Sequence, residues 1–282
     1  MLKSNREVII MAFYIDEKID FIQRSTKQHP KNMDNAHFHD KHELYYLEKG
    51  KTRYFIGNEI YLLEPGDLVF IPKGTFHKTN PEEITVSERV LLVFDDDFFG
   101  NEYKKYIDEL RQDKLVRLPG EQVYKVRELM MKIEHENKHK HTDYIEMEKL
   151  YFRQLLVIIS RYRIKDADVK FTQSFKVIQD AAKFISQNYN SDITLDYLSE
   201  KYAMSPSYFS KQFKSITGVG LNEYINLTRV TAAEKLLAKA DMPITRVALE
   251  CGFNDSNYFA AVFKKIKGIT PKKFSMQNSI YH

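Results

Sequence analysis

Three histidines and one glutamate in the first third of the chain have side chains that can bind a metal ion. His37 and His39 lie two residues apart, so an extended backbone puts both imidazoles on one face, and Glu43 follows four residues later. His77 comes directly after the turn-forming run Pro72–Phe76. Three neutral imidazoles and one carboxylate can coordinate a divalent transition metal. One interpretation of these four residues is therefore a metal centre.

A second interpretation leaves the same side chains in a pocket without metal, where they hydrogen-bond an organic effector or one another. Tyr45 would then be a further contact residue, and the effector would be a small polar molecule, with sugar-like compounds as the leading class. Nearby aromatic residues can supply the pocket walls, although strand alternation turns half of them outward: Tyr45, Tyr46, Tyr54, Phe55, Phe70 and Phe76. Both interpretations stay open at the level of the sequence.

The elements that must position these residues are short strands. Runs of Tyr, Phe, Ile, Leu and Val are separated by Gly, Pro, Asn and Asp, and Gly57-Asn58 is a hairpin signal. Many closely spaced short strands predict a barrel or jelly roll, whose interior is filled by side chains or holds one ligand. The predicted strands are Val8–Ile15, Glu43–Lys49, Lys51–Ile56, Glu59–Leu63, Asp67–Ile71 and Arg89–Phe94.

The last third of the chain contains an eleven-residue pattern that occurs twice. Tyr208–Gly218 returns fifty positions later as Tyr258–Gly268, with apolar residues at i, i+4 and i+7 and a glycine at the end. This spacing predicts two helices, each with one apolar stripe, that the glycine terminates. A short amphipathic segment precedes each copy, Leu195–Leu198 and Ile244–Ala248. The pattern predicts two helix-turn-helix units, joined by a single helix over Leu221–Lys239.

The residues opposite the apolar stripe of each repeated helix are small, polar or basic. Ser205 before Pro206 and Asp255 before Ser256 predict the N-caps of these two helices. A helical bundle that binds protein is the alternative, but small and basic side chains suit groove edges and phosphates, which favours double-stranded DNA. Ala260 and Ala261 cannot donate a hydrogen bond, which limits base readout by the second unit. The predicted DNA-binding residues are Pro206, Ser207, Ser210, Lys211, Lys214, Ser256, Asn257, Ala260, Ala261 and Lys264.

Length, charge and cysteine content limit the number of domains, the kind of partner and the cellular compartment. The 282 residues suffice for two domains, and the net charge is +4. Residues 174–282 contain fourteen Lys and Arg against nine acidic residues, so the predicted DNA-binding region carries the basic excess. The single cysteine, Cys251, excludes an intramolecular disulfide and indicates a reducing compartment. We find no signal-peptide core at the start and no membrane-length apolar run, and therefore expect a cytoplasmic protein without a membrane partner.

Two amphipathic helices are predicted between the strands and the repeat, over Glu121–Glu136 and Asp143–Arg163. The second carries a periodic set that should bury one face against the barrel or against another subunit: Met147, Leu150, Tyr151, Gln154, Leu155 and Ile158. A charged stretch that begins at Lys165 is the predicted linker. We therefore predict a domain over residues 1–164, a linker over 165–173 and a second domain over 174–282, an α+β, two-domain fold.

Both halves of the chain resemble a known family. His37-x-His39-x3-Glu43-x6-Gly50 resembles the first cupin motif, and Gly66-x5-Pro72-x-Gly74-x2-His77 resembles the core of the second, with Asn80 one residue early. The repeated helices with the ending Gly268-Ile-Thr-Pro271 resemble the AraC/XylS transcription regulators. The resemblance implies a cupin-like sensor of a small-molecule effector, a homodimer formed through the sensor domain, a double helix-turn-helix domain that binds DNA, activation of transcription and RNA polymerase as a partner.

A metal-dependent cupin enzyme joined to a DNA-binding tail is the alternative function. An enzyme needs an open coordination position and usually an acid or base beside it. No further motif supplies one, and we interpret the neighbouring Asp40 and His42 as residues of a solvated loop. The sequence therefore predicts no catalytic residues, and no cofactor other than the divalent metal of the first interpretation.

Overall fold

The computed structural model describes residues 22–27, 39–81, 87–98, 100–164, 173–239 and 242–279. The chain divides into two compact units, with the main division between Lys176 and Val177. The predicted strand at Val8–Ile15 and residues 165–172 of the predicted linker lie outside the described residues. Gln173, the last residue of that linker, is the first residue of a helix.

The N-terminal unit contains two antiparallel sheets. A five-stranded sheet has the order β1-β7-β2-β5-β8, and a three-stranded sheet has the order β4-β3-β6. The strands are β1 (Ile22–Lys27), β2 (His42–Lys49), β3 (Thr52–Ile56), β4 (Glu59–Leu63), β5 (Leu68–Ile71), β6 (His77–Pro81), β7 (Ser87–Phe94) and β8 (Leu115–Val116). Gly57 and Asn58 form the predicted turn between β3 and β4, with Gly57 in the left-handed region at φ 63°. The prediction of an N-terminal β domain built from many short strands is confirmed.

Strand β2 is buried on both faces, which divides its side chains between two cores. Tyr45 and Leu47 point into the core between the two sheets, while Leu44 and Tyr46 point the opposite way into a core shared with helices. Successive strand residues alternate between faces, so one short strand contributes to both cores. Residues from both sheets complete the inner core: Tyr54, Ile56, Leu63, Val69, Ile71, Leu91 and Val93.

Three helices cover the outer face of the five-stranded sheet. They are α1 (Lys104–Gln112), α2 (Gly120–His139) and α3 (Tyr144–Tyr162). Two residues of the predicted face of α3 do not pack against the sheets, because Leu150 is 57% exposed and Gln154 is also exposed. The side chains of α3 that pack into the outer core are offset from the predicted stripe: Phe152, Leu155, Leu156, Ile158 and Ile159. Leu155 and Ile158 of the predicted set are therefore buried, and Leu150 is left on the surface.

Four of the strands and α-helices of the N-terminal unit were not predicted from the sequence. Strand β6 reads His-Lys-Thr-Asn-Pro and has no apolar residue, so only its pairing with β3 defines it. Strands β1 and β8 and helix α1 were also not predicted. Strand β8 is two residues long, paired to the edge strand β5 through Leu68 and Val69. The remaining predicted strands agree with the structure to within two residues.

The C-terminal unit is helical. Its helices are α4 (Gln173–Gln187), α5 (Leu195–Lys201), α6 (Pro206–Thr217), α7 (Leu221–Leu237), α8 (Ile244–Glu250), α9 (Ser256–Lys267) and α10 (Pro271–Ser279). The predicted caps are present: the Ser205 and Asp255 side chains accept hydrogen bonds from the first turns of α6 and α9. Gly218 and Gly268 end these helices at φ 85° and 76°. No helix among the described residues has the length and apolar character needed to span a bilayer.

Helix α7 is fixed by polar contacts to the turn after α4 and to the second helix-turn-helix unit. Arg229 donates to the carbonyl oxygens of Tyr189 and Ser191 at 2.8 and 2.9 Å. Glu234 forms an ion pair with Lys267 at the end of α9, with 2.6 Å between Oε1 and Nζ. Asn226 Nδ2 donates to the Tyr258 hydroxyl at 3.0 Å. The connecting helix and α9 are therefore held together by charge and hydrogen bonds as well as by apolar packing.

Gly252 lies where two turns of this unit approach closely. Its φ is 82°, and a Cβ atom there would lie 2.8 Å from Asn190 Cα and 2.9 Å from the Tyr189 carbonyl oxygen. Gly268 has a similar φ of 76°, but no heavy atom of the described residues lies within 4 Å of the equivalent Cβ position. The two glycines thus share the conformational requirement and differ in the space around them.

We expect Gly252→Ala to destabilise the C-terminal unit more than Gly268→Ala. Each substitution costs about 1–2 kcal/mol because an L side chain is placed at positive φ. Gly252→Ala adds a backbone clash, and overpacking costs about 1–3 kcal/mol more. Denaturant unfolding followed by far-UV circular dichroism measures both losses. Equal losses for the two variants would show that the turn at Asn190 moves away freely.

Candidate effector pocket and nucleic-acid interface

His39, Glu43 and His77 meet between the two sheets of the N-terminal unit. One ligand atom from each lies within 4.8 Å of those from the other two, and all three residues are buried. Glu43 is on the inward face of β2, and His77 begins β6 directly opposite Ile56 of β3. His39 precedes β2, and its Nε2 atom contacts a carboxylate oxygen of Glu43. Strand alternation and the pairing of β6 with β3 thus bring residues 34 positions apart together.

Each imidazole of this triad is oriented by a backbone carbonyl. His39 Nδ1 lies 2.9 Å from the Lys41 oxygen, and His77 Nδ1 lies 2.8 Å from the Thr75 oxygen. A carbonyl oxygen only accepts, so both Nδ1 atoms carry the proton. His39 Nε2 therefore contacts Glu43 Oε1, and His77 Nε2 lies 3.8 Å from Glu43 Oε2.

This arrangement places the second nitrogen of each ring against a carboxylate oxygen. In a neutral ring that nitrogen is an acceptor, and two acceptors repel unless a proton or a metal cation lies between them. Burial alone would lower the pKa of His39, but the hydrogen bond and negative charge of Glu43 outweigh burial, and the pKa is raised. The site therefore favours a positive species at its centre.

The donor set fits a divalent transition metal. Metal–nitrogen bonds of about 2.0–2.1 Å put the centres of two imidazole rings about 5 Å apart on a tetrahedral ion. The His39 and His77 ring centres are 5.1 Å apart, with an angle of 71° between the planes. The Nδ1 hydrogen bonds to carbonyl oxygens are also the usual outer-shell contacts of ligating histidines. His37, the other imidazole of the predicted site, lies outside the described residues.

Two buried tyrosines extend the polar cluster. Tyr45 and Tyr54 pack edge to face with ring centres 5.1 Å apart, and the Tyr54 ring lies 6.1 Å from that of His77. Tyr54 is completely buried, and its hydroxyl has no hydrogen-bond partner among the described residues. Burial raises the pKa of Tyr54 well above its ordinary value, so the group stays a neutral donor and acceptor. Arg89 lies over the Tyr45 ring at 5.5 Å.

The six predicted wall residues divide as strand alternation requires. Tyr45 and Tyr54 belong to the inner core, whereas Tyr46 and Phe70 belong to the helix-covered core. Phe55 and Phe76 are buried against each other, with ring centres 6.3 Å apart. Tyr54 was predicted only as one of six aromatic walls. Its role as a buried hydroxyl beside His77 depends on sheet pairing, which the sequence does not give.

The interpretation of His42 as a solvated loop residue is wrong. His42 is the first residue of β2, is buried, and donates from Nε2 to Asp96 Oδ1 at 2.9 Å while Nδ1 accepts from the Lys73 amide. Lys73 and Arg111 also contact Asp96 at 2.5 and 3.2 Å. Partial burial acts against ionisation, but Lys73 and His42 lower the pKa of Asp96 to about 2. Asp40 is exposed, as predicted.

His42, Asp96 and Arg111 line a cavity separate from the triad. The cavity has a volume of about 310 Å³ and lies beside α1, with Phe94, Tyr103 and Ile107 as apolar walls. His42, Lys73 and Arg111 all contact the carboxylate of Asp96, and Asp95 adds a second carboxylate to the lining. The sequence signal for this cavity was weak, because α1 itself was not predicted.

The predicted DNA-facing residues of α6 lie on its exposed side. Phe209, Phe213 and Ile216 are buried, which confirms the apolar stripe. The polar set on the other side is accessible, with Ser210 half-buried and the rest exposed: Pro206, Ser207, Lys211 and Lys214.

Helix α9 repeats this arrangement. Phe259, Phe263 and Ile266 are buried. Asn257, Ala261 and Lys264 are exposed, while Ser256 and Ala260 are half-buried. Cys251, just before the second turn, is buried as predicted. Two amphipathic helices therefore each present one accessible face, the first of which is richer in hydrogen-bond donors.

Comparisons with known proteins agree with this division. A family model described as an AraC-like ligand binding domain matches residues 24–98, and one described as a helix-turn-helix domain matches residues 198–277. The HTH-type transcriptional activator RhaR of Escherichia coli (strain K12) is 25% identical over 256 residues, covering 89% of this chain and 90% of the relative. RhaR of Shigella boydii is 25% identical over 255 residues with the same coverage.

Solved structures show weaker similarity. ToxT from Vibrio cholerae has a TM-score of 0.36 at 13% identity, over 90% of this chain and 98% of that chain. The C-terminal domain of AraT, a response regulator from Geobacillus stearothermophilus, has a TM-score of 0.36 at 25% identity, over 38% of this chain and 88% of that chain. These scores are too low to support conclusions about geometry. The two family models and the nearly full-length match to RhaR show that the chain belongs to the AraC/XylS family of ligand-responsive, DNA-binding transcription regulators.

Proposed function

We propose that this regulator binds double-stranded DNA with α6 and α9 in successive major grooves, and that an effector bound around His39, Glu43 and His77 controls its action. The observation that carries the DNA proposal is the repeated helix, which buries a phenylalanine stripe and exposes a small, polar or basic face. Helix-turn-helix proteins place the second helix of each unit in the major groove. One DNA turn separates successive major grooves by about 34 Å.

The contacts of α7 support the use of both helices on one face of the duplex. Arg229 ties the connecting helix to the turn after α4, and Glu234 ties it to the end of α9. Two recognition helices can enter successive major grooves only if the element that links them keeps a constant length and direction. The single helix between the units, with these anchors, meets that requirement.

The two halves of the DNA contact should differ in specificity. Lys211 is one turn into α6 on the exposed face, where side chains reach base edges, and Lys214 is further along, where they reach phosphates. In α9 the position equivalent to Lys211 is Ala261, which leaves Ser256 and Asn257 as the polar contacts and Lys264 for phosphate. Alanines can contact only thymine methyl groups. We infer that α6 carries most of the base readout.

The effector proposal is supported by the polar groups in the inner core. Glu43 and His77 are buried between the sheets, and the completely buried Tyr54 hydroxyl has no partner among the described residues. Buried polar groups are normally hydrogen-bonded, so such a cluster suits a ligand rich in hydroxyl groups. The proposed contacts are His37, His39, Glu43, Tyr45 and His77, and the leading class is a small, sugar-like molecule.

A divalent transition metal is the other occupant that these residues suit. His39, Glu43 and His77 would ligate it, and His37 would complete a four-ligand set. Bound there, the ion would supply a fixed positive charge that orients polar groups of a ligand. The comparisons give no support to the alternative of a metal-dependent enzyme.

Further parts of the proposal concern partners and domain limits. The relatives named above are transcriptional activators, so we propose activation through RNA polymerase. The exposed apolar side chains of α2 and α3 support a homodimer formed through these helices: Tyr124, Met131, Ile145 and Leu150. We propose a sensor and dimerisation domain over residues 1–164, a linker over 165–173 and a DNA-binding domain over 174–282. The site of action is the DNA-containing cytoplasm.

We expect Lys211→Ala to relax sequence discrimination. On the duplex that selection from random DNA identifies as the best site, the variant should lose about 1–3 kcal/mol of binding free energy, and much less on random duplex. Lys214→Ala and Lys264→Ala should weaken binding to both duplexes and reduce the slope of log affinity against log salt by about 1. Fluorescence anisotropy at several salt concentrations measures all three variants.

Lys235→Ala is the matched control, since Lys235 is an exposed lysine of the connecting helix α7. Its DNA affinity should stay close to that of the wild type. Equal losses on selected and random DNA for Lys211→Ala would contradict the assignment of Lys211 to a base contact.

We expect His77→Ala to remove the effector response while leaving DNA binding intact. An effector changes DNA affinity only if it binds one state of the protein better, and the variant removes one side of its pocket. Thermal-shift screening of monosaccharides, polyols and Zn²⁺ on the wild type supplies the ligand for the test. If Zn²⁺ is the occupant, chelation of the wild type should reproduce the variant and remove the ion from elemental analysis.

Asp40→Ala serves as the control, because Asp40 is exposed next to His39. His77→Gln covers the case in which the alanine variant is poorly folded, since glutamine keeps much of the volume. A response that survives both His77→Ala and His39→Ala would place effector sensing elsewhere in the chain.

A further inference from the structure

A second group of histidines lies on the surface, at the C-terminal end of α2. His135 and His139 are one helical turn apart, and His141 follows in the turn that leads to α3. All three are exposed, and they are the exposed histidines of the described residues. The ring centres of His135 and His139 are 4.2 Å apart, those of His139 and His141 5.8 Å, and those of His135 and His141 6.3 Å.

The backbone brings His141 back toward the helix. Lys140 ends α2 in the left-handed region at φ 49°, and its amide donates to the Glu136 oxygen at 2.8 Å. The Tyr144 amide donates to the His141 oxygen at 3.1 Å and fixes the turn before α3. His141 and His139 consequently stack with only 6° between their ring planes.

The last turn of α2 is anchored against α3. Asn137, between the two helical histidines, donates from Nδ2 to Glu148 Oε1 at 2.9 Å, and Glu148 is buried. His139 Nδ1 donates to the His135 carbonyl oxygen at 2.8 Å. This hydrogen bond fixes the tautomer of His139 and leaves Nε2 as the ligand atom.

We propose that His135, His139 and His141 form a surface site for a divalent transition ion of the Zn²⁺, Ni²⁺ or Cu²⁺ type. Imidazole is a preferred ligand of these ions, whereas Mg²⁺ and Ca²⁺ prefer oxygen. Histidines at i and i+4 on one helix face are a zinc-binding pair, and residues 135–139 read His-Glu-Asn-Lys-His. A cation at this place also faces the negative end of the α2 dipole.

The site requires only side-chain rotation. The observed ring-centre distances bracket the separation of about 5 Å expected for imidazoles on one tetrahedral ion. Exposed side chains change rotamer on the picosecond to nanosecond timescale, so His141 can close on the helical pair. The site would bind the metal ion without an organic ligand, and it is separate from the proposed effector pocket. From the His-Glu-x-x-His pattern we infer metal binding only, and we propose no hydrolytic activity.

Zn²⁺ binding to the full-length chain tests the site. His77→Ala, or Glu43→Gln if the first variant is poorly folded, serves as the background because it removes a ligand of the internal triad. In this background we expect one Zn²⁺ per chain by calorimetry and elemental analysis, and a higher melting temperature in Zn²⁺ than in chelator. Adding His139→Ala or His135→Ala should weaken binding by at least about tenfold, as loss of metal-site contacts does.

Lys138→Gln is the matched control in the same helical turn. It leaves the three imidazoles in place and removes a positive charge, so Zn²⁺ affinity should be equal or higher. His141→Ala should weaken binding without changing helix content, which circular dichroism measures. Binding that is unchanged in both His135→Ala and His139→Ala, or an absence of Zn²⁺ from the background variant, would overturn the proposal.

Discussion

The double burial of β2 is the constraint on which the N-terminal unit depends. Consecutive residues of a strand face opposite sides, so Glu43 and Tyr45 must share a core with His77, while Leu44 and Tyr46 must share one with α2 and α3. A register shift of one residue would exchange the two sets and put the Glu43 carboxylate among apolar helix residues. An unpaired buried carboxylate is strongly unfavourable. The polar cluster thus contributes to the register of the sheet and also forms the proposed effector pocket.

In the C-terminal unit, helices instead of strands separate the buried residues from the accessible ones. Each recognition helix buries one stripe and keeps the other side accessible, so a set of three apolar residues repeated at the same spacing fixes its rotation about its own axis. The second copy differs in having alanines on the accessible side and an ion pair, Lys267 with Glu234, at its end. The first copy has Ser210 and Lys211 there. The copies therefore share a scaffold, and the difference between them lies in the residues that face outward.

Sequence patterns correctly predicted the helices and turns whose structure depends on residues close together in the chain. The two helix-turn-helix units, their caps and the β3–β4 hairpin follow from residues that are close together along the chain, and these predictions are confirmed. Strand β6 lacks apolar residues and exists because β3 pairs with it, and the burial of His42 depends on Asp96, 54 residues away. The residues of α3 that pack on the sheet were not all predicted for the same reason, since the outer core contains Phe152 and not Leu150. The sequence identified His39, Glu43 and His77 as a set, but the tautomers and the buried Tyr54 hydroxyl required the sheet pairing.

The start of β2 connects two buried polar side chains that lie on opposite sides of the sheet. His42 and Glu43 are consecutive, so one contacts Asp96 beside α1 while the other contacts His39 between the sheets. A peptide unit is planar and stiff, which means that a displacement of Glu43 is shared by His42. Because Arg111 of α1 contacts the same Asp96 oxygen as His42, that displacement would reach α1 through the hydrogen bonds to Asp96. Tight packing on both faces leaves the strand little room to move on one side alone. A displacement of Glu43 would therefore act on the sheet and on α1 together.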